Sequence, residues 1–192
     1  MQYYIDISLL PDAEANLGFL WQKLFQQVHL ALVEKKLPND TSAIAASFPH
    51  YGDKVFPLGN KLRLLAEKQE QLQQLDIGKW LNRLTDYTHY TSIKEVPFSV
   101  NQYVCFERKQ FDTNIQRIAK RRSQRKGETL EQALNHLKEF SDTETKLPFI
   151  NMKSLTKGNQ FRLFIEKTIS DESQQGDFGC YGLSKGGNVP WF

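Results

Sequence analysis

Cysteine is scarce in this chain, with two among 192 residues. Cys105 and Cys180 stand far apart with no CxxC, so neither a disulfide framework nor a cysteine zinc site can be assembled from them, and both are expected to be reduced. Long apolar runs are missing too. No stretch approaches the roughly 20 residues that would span a bilayer. The start, Met1-Gln2-Tyr3-Tyr4-Ile5-Asp6, has neither the basic opening nor the apolar run of a signal peptide. The expectation is a soluble, cytoplasmic protein with no membrane partner. Histidine is almost as sparse: His29, His50, His89 and His136 each stand alone, none at a metal-ligand spacing such as HxxxH or HExxH. That argues against a metal centre, and no motif calls for a cofactor. Internal repeats and low-complexity linkers are absent.

What is present suffices for folding. With 40% hydrophobic and 12% aromatic residues the chain can build one large or two small cores. Charge divides it. Residues 1–95 carry 10 Lys and Arg against 11 Asp and Glu, whereas residues 96–192 carry 15 against 11. The anionic partner is therefore expected to meet the second half. Five of the 25 Lys and Arg fall within Lys120-Arg121-Arg122-Ser123-Gln124-Arg125-Lys126, although the formal net charge is only +3. On a helix, Arg117, Lys120, Arg121, Gln124 and Arg125 recur at i, i+3, i+4, i+7 and i+8, a single face of long donors without an acid. Such a face suits a ladder of phosphates. Read alone, it is equally a solvated basic surface.

Periodicity orders the rest. Tyr3, Ile5, Ile7 and Leu9 alternate as a strand, and Leu17, Leu20, Trp21, Leu24, Phe25, Val28 and Leu32 recur at helical spacing up to about Lys35. Strands around Ile44 to Phe48 and Lys61 to Ala66, a helix from Lys68 to Leu75 and strand-like residues after Tyr87 complete a β-α-β-β-α-β order. That order predicts a ferredoxin-like split βαβ domain over residues 1–95. Residues 96–192 should form a second α+β domain: a strand over Gln102 to Arg108, the basic helix closed by Gly127, an amphipathic helix over Thr129 to Phe140, and strands over Phe149 to Ser154 and Phe161 to Ile165. These last two flank the turn Thr156-Lys157-Gly158-Asn159. A Gly-rich tail, Cys180 to Phe192, ends the chain.

One histidine draws attention. His29 lies roughly 100–120° round the first helix from the centre of its apolar stripe, at the rim. A rim histidine is commonly structural; it becomes a base where the substrate needs one near neutral pH. RNA is such a substrate, because its own 2′-hydroxyl attacks the adjacent phosphate once a base removes the proton. Ser154 and Tyr181 could supply hydroxyls, and Gly182, Gly186 and Gly187 a close backbone approach. Phe161 opens a strand after a polar turn, where it either packs inward or offers a stacking platform to a base.

The motifs Cys180-Tyr181-Gly182-Leu183-Ser184-Lys185-Gly186-Gly187, Val189-Pro190-Trp191-Phe192, Phe161-Arg162-Leu163-Phe164-Ile165, Ser47-Phe48-Pro49 and Leu147-Pro148-Phe149 carry a resemblance that runs from end to end. The chain resembles the CRISPR-associated endoribonuclease of the subtype I-F system, which cuts the repeat hairpins of precursor CRISPR RNA. The resemblance implies an α+β fold with an N-terminal ferredoxin-like, RRM-like domain of the RAMP type and a C-terminal α+β domain carrying an arginine-rich helix. It places His29 as the base acting on the 2′-hydroxyl, Ser154 as the residue that holds that hydroxyl, and Tyr181 as the residue that orients the histidine. Arg108 and Gln110 match the pair that reads a guanine and an adenine at the base of the stem. Arg121 and Arg125, with Arg117, Lys120 and Gln124 beside them, match the helix that grips stem phosphates, and Phe161 matches the aromatic beneath the last base pair. The implied partners are the repeat hairpin, its mature CRISPR RNA product and the other subunits of the type I-F surveillance complex. The basic helix departs from the family's denser arginine pattern at Ala119, Lys120, Gln124 and Lys126. A non-catalytic hairpin-binding module and a general basic accessory domain are the competing readings.

Overall fold

Apolar alternation along β1 (Tyr3–Leu9) buries Ile5, Ile7 and Leu9, and the 3.6-residue stripe of α1 (Leu17–Glu34) buries Leu20, Trp21, Leu24, Phe25, Val28, Ala31 and Leu32. Asn16 starts that helix: its side chain accepts from the Phe19 N–H at 2.9 Å, satisfying one of the donors a first turn leaves unpaired. The computed structural model describes residues 1–111, 115–137, 146–154 and 158–192. After α1 come β2 (Thr41–Ser42), β3 (Ile44–Ser47), β4 (Lys61–Ala66), α2 (Gln69–Leu75), α3 (Ile77–Trp80), β5 (Thr88–Tyr90), β6 (Lys94–Glu95) and β7 (Tyr103–Lys109). Then follow α4 (Ile115–Lys126), α5 (Leu130–His136), β8 (Phe149–Lys153), β9 (Gln160–Ser170), β10 (Asp177–Gly179), β11 (Ser184–Lys185) and β12 (Val189–Pro190). The fold is mixed α+β. Among the described residues no helix is long and apolar enough to cross a membrane.

Two sheets organise the chain. The first has the order β3-β4-β1-β5, with β6 also paired to β1; its strands are antiparallel, and Ile5 faces Leu64 in the register. The second has the order β2-β10-β11-β7-β9-β8, with β12 on β7. One apolar core serves both, drawing on Trp21, Phe25, Phe48, Phe106, Ile150 and Leu163. Phe48 lies 5.6 Å from Trp21 and 5.1 Å from Phe106 between ring centres. The Trp21 indole N–H donates to the Gly59 carbonyl at 2.7 Å, so the largest core side chain carries no unpaired donor. Under the first sheet Arg63 donates to both oxygens of the buried Asp6 carboxylate, at 2.6 and 3.0 Å. It donates also to the Phe192 main-chain oxygen at 2.7 Å.

Contacts group the chain into two compact units. One comprises Met1–Arg108 with Pro148–Phe192, and the other Lys109–Leu147. Non-local pairing ties the chain's end to its first half: β2 pairs with β10, just before the tail, and the Ala46 N–H donates to the Gly182 carbonyl at 2.8 Å. The Gly-rich tail is thereby built into the larger unit, following β10 and contributing β11 and β12. In the smaller unit, α4 and α5 bury Ala119, Ala133 and Leu137 against each other. Gly127, with φ 68°, follows the last turn of α4, as expected. Two further expectations differ. β9 runs five residues beyond Ile165, to Ser170, and α5 ends at His136; Phe140, Thr156 and Lys157 lie outside the described residues.

Candidate functional site

The half-buried His29 sits one helical turn after Phe25 on α1, and the tail closes on both. Gly179 to Leu183 form a tight turn, in which the Gly182 N–H donates to the Gly179 carbonyl at 2.7 Å and the Gly179 N–H to the Leu183 carbonyl at 2.8 Å. The turn aims the Cys180 carbonyl at α1, where it accepts from His29 Nδ1 at 2.9 Å. A carbonyl oxygen can only accept, so Nδ1 carries the proton, and in the neutral ring the lone pair is left on Nε2.

Tyr181 covers the same imidazole. Its ring stacks on His29 with centres 4.1 Å apart and an interplanar angle of 12°. It lies nearly parallel to Phe25 as well, at 6.4 Å and 4°. Burial pulls the His29 pKa below its ordinary value, against the smaller upward effect of the bond to Cys180. The same ring is therefore neutral at neutral pH and basic at one nitrogen. Burial also raises the Tyr181 pKa, with Arg108 opposing it, so its hydroxyl keeps its proton. Gly182 makes the arrangement possible. At φ +70° it takes a left-handed conformation, and a Cβ there would stand 2.8 Å from both Ala46 Cβ and Ala46 N.

From this stack the polar groups continue outward. The exposed Arg108, near the end of β7, has its guanidinium 5.9 Å from the Tyr181 ring centre and 5.5 Å from that of Phe161. Phe161 is half-buried, packs against the core and lies under the Arg108 guanidinium. It pairs in register with Met152 across β8 and β9. Ser154 follows β8, the strand that packs against α1. Its N–H donates to the Asn159 carbonyl and its carbonyl accepts from the Gly158 N–H, both at 2.8 Å. His29, Tyr181, Arg108 and Phe161 thus form a continuous run of contacts.

Gln110 and the residues of α4 belong to the smaller unit. Within it Lys120, Arg121, Gln124 and Arg125 are exposed, and Arg117 lies in the first turn of the helix. Arg122 behaves differently, being half-buried and ion-paired with Glu128. Among the described residues no group of three or more His, Cys, Asp and Glu is placed to hold a metal ion. Sequence reasoning missed Phe25 as part of the site and the Cys180 carbonyl altogether. Phe25 was legible as a site neighbour through its i, i+4 relation to His29; a backbone carbonyl leaves no signal in residue identity.

Comparison with known proteins places the chain among relatives. Residues 4–192 match the family described as CRISPR-associated protein (Cas_Csy4). A CRISPR-associated endonuclease Cas6/Csy4 of Escherichia coli (strain UTI89 / UPEC) is 35% identical over 193 residues, covering 100% of both chains. The protein of the same description from Pseudomonas aeruginosa (strain UCBPP-PA14) is 34% identical, again over 100% of both. A solved structure from the characterization of a Cas6-related gene from Pyrococcus furiosus overlaps 98% of this chain and 99% of its own at 11% identity and a TM-score of 0.36, an overlap on which nothing rests.

Proposed function

Because the chain belongs to the CRISPR-associated Cas_Csy4 family, we propose that it is a metal-independent endoribonuclease that binds the CRISPR repeat stem-loop and cuts precursor CRISPR RNA on the 3′ side of the hairpin. The product stays bound, and the protein remains on the mature RNA as a subunit of the type I-F surveillance complex in the cytoplasm. The observation that carries the chemistry is the bond from His29 Nδ1 to the Cys180 carbonyl under the Tyr181 ring, which leaves Nε2 as an unprotonated base.

In this reading Nε2 takes the proton of the 2′-hydroxyl, O2′ attacks the adjacent phosphorus, and the bond from phosphorus to O5′ breaks. The departing O5′ takes a proton from water and the imidazolium returns its own to solvent, so the products are a 5′-hydroxyl and a 2′,3′-cyclic phosphate. Ser154 holds the attacking hydroxyl. Tyr181 keeps the imidazole in plane, a positioning role that its stacked ring supports. Phe161 stacks beneath the last base pair, and Arg108 and Gln110 read a guanine and an adenine at the base of the stem.

The grip on the stem falls to α4, where Arg117, Lys120, Arg121, Gln124 and Arg125 face phosphates. A-form RNA hides its major groove along a long duplex, whereas a short hairpin opens it from the ends; the ligand is a short stem. Residues 1–95 act in this reading as a ferredoxin-like platform carrying the histidine, which the order β3-β4-β1-β5 supports, and residues 96–192 supply the RNA-binding groups.

The test is incubation with repeat RNA in EDTA followed by end-group analysis. Undiminished cutting with a cyclic phosphate on the upstream product is expected. Cutting that requires added metal, or that persists when deoxyribose replaces the ribose 5′ of the cut, would sink the mechanism.

A further inference from the structure

A groove of about 690 Å³ opens on a different face of α1. Phe19, Lys23 and Gln27 follow one another at four-residue spacing along it, and their face lies about 120° round the helix from His29. The opposite wall is α3 and the turn after it, where the Leu84 N–H donates to the Leu81 carbonyl at 2.8 Å and the Tyr87 N–H to the Leu84 carbonyl at 3.0 Å. The groove combines two kinds of group that water alone does not call for. Phe19 stands 46% exposed despite its apolar ring, with half-buried Trp80 and Tyr87 beside it. Lys23, Lys79 and Arg83 are exposed among these rings, and Lys23 Nζ lies 5.0 Å from the Phe19 ring centre. Among the described residues none of the three cations has an acid within ion-pair distance. Glu34, the acid of the lining, lies 3.8 Å from Lys35 instead.

We infer that this groove binds single-stranded RNA, the unpaired segment of the transcript beside the hairpin. Aromatic faces stack on bases that a duplex would hide, and unpaired cations neutralise the backbone between them. The net positive lining matches that anion and disfavours an acid-free apolar helix as occupant. The inference rests on the hairpin reading above for the source of the strand, not for the chemistry of the groove.

The test measures binding of a labelled, unstructured oligoribonucleotide of about 12 nucleotides, within the range of single-strand site sizes, to the wild-type chain and to a Lys23→Ala, Lys79→Ala, Arg83→Ala triple variant. Three phosphate contacts at about 0.7 each in the salt slope mean that wild-type affinity should fall roughly 20-fold between about 50 and 200 mM salt. The triple variant should bind weakly with a nearly flat slope, while cutting hairpin RNA at the wild-type rate. Trp80→Phe should diminish fluorescence quenching by the oligomer. Wild-type chain that ignores the oligomer, or a triple variant that binds it undiminished, overturns the inference. So does a wild-type chain that leaves the oligomer free but self-associates through Phe19, which would make the face a protein contact. Oligomer binding that is lost in the triple variant while no hairpin is recognised leaves the groove standing and removes the hairpin reading instead.

Discussion

His29 is fixed by a hydrogen bond to the Cys180 carbonyl, a stacked tyrosine and an α1 rooted in the main core, whereas Lys120, Arg121, Gln124 and Arg125 project from a helix whose own cluster buries two alanines and a leucine. In the proposed reading the two regions meet different physical demands. Moving a proton requires an atom held in place with its pKa shifted, which needs burial and packing on several sides. Gripping a polyanion requires charge at roughly the right spacing, and long exposed side chains supply it without a rigid frame. In the larger unit hydrogen bonding and stacking converge on one imidazole, whereas the described face of α4 in the smaller unit presents exposed long polar side chains.

The sharpest way to break this contrast is at His29, the proposed base. His29→Ala should lower the cleavage rate by roughly 10²–10⁴-fold and leave hairpin binding nearly intact, because a general base contributes about that much and binds nothing. Single-turnover kinetics beside a binding titration separate the two; a parallel loss of affinity would make His29 part of the grip. The pH profile sharpens the same point. With the folded pKa depressed by burial, the base is already neutral at pH 7, so the rate should be flat above the ordinary histidine value and fall about tenfold per pH unit only below the lowered pKa. A midpoint above that ordinary value would mean that Nε2 is not the base.

Gly182→Ala attacks the frame without touching a side chain of the site. The added Cβ meets Ala46 backbone at a left-handed φ, so a loss of about 1–3 kcal/mol in unfolding free energy is expected, with a drop in cleavage larger than the drop in affinity. Denaturant titration and kinetics on the same preparation check it. Equal losses in rate and affinity would show that the tail serves binding as much as chemistry.

Arg108 is, in the proposed reading, a reader of the basal base pair. Arg108→Ala should cost ~1–3 kcal/mol in binding to the cognate stem and distinctly less to a stem with its basal G·C pair changed. Equal weakening for both RNAs would make it a phosphate contact. The smallest effects belong to α4. Arg121→Ala and Arg125→Ala should each flatten the plot of log affinity against log salt by roughly 0.7–0.9, with stability unchanged within about 0.5 kcal/mol. Arg122→Ala is the control: it is ion-paired to Glu128, so it should affect the salt slope less and the stability of the helix pair more. A slope change at Arg122 as large as at Arg121 would overturn the proposed register of the helix.

Much of this was readable in order along the chain. The strands at Tyr3–Leu9 and Lys61–Ala66 and the helix from Leu17 follow apolar periodicity, which local burial imposes directly. The basic run makes a helix, and Gly127 ends it. The rim position of His29 was equally legible, since it depends only on angle around α1. The pairing of β2 with β10 was not, because strands of two or three residues such as β10, β11 and β12 are too short to show a period.

What the sequence by itself determined was which side chains exist to do chemistry and which helix faces carry them, because residue type and helical angle are local properties. The tertiary structure alone decided which nitrogen of His29 is free. That choice belongs to the carbonyl of Cys180, a group every residue possesses, brought to α1 from 151 positions away by a glycine turn closing against β3. A backbone oxygen has no signature in a sequence; it acquires a role only where folding places it.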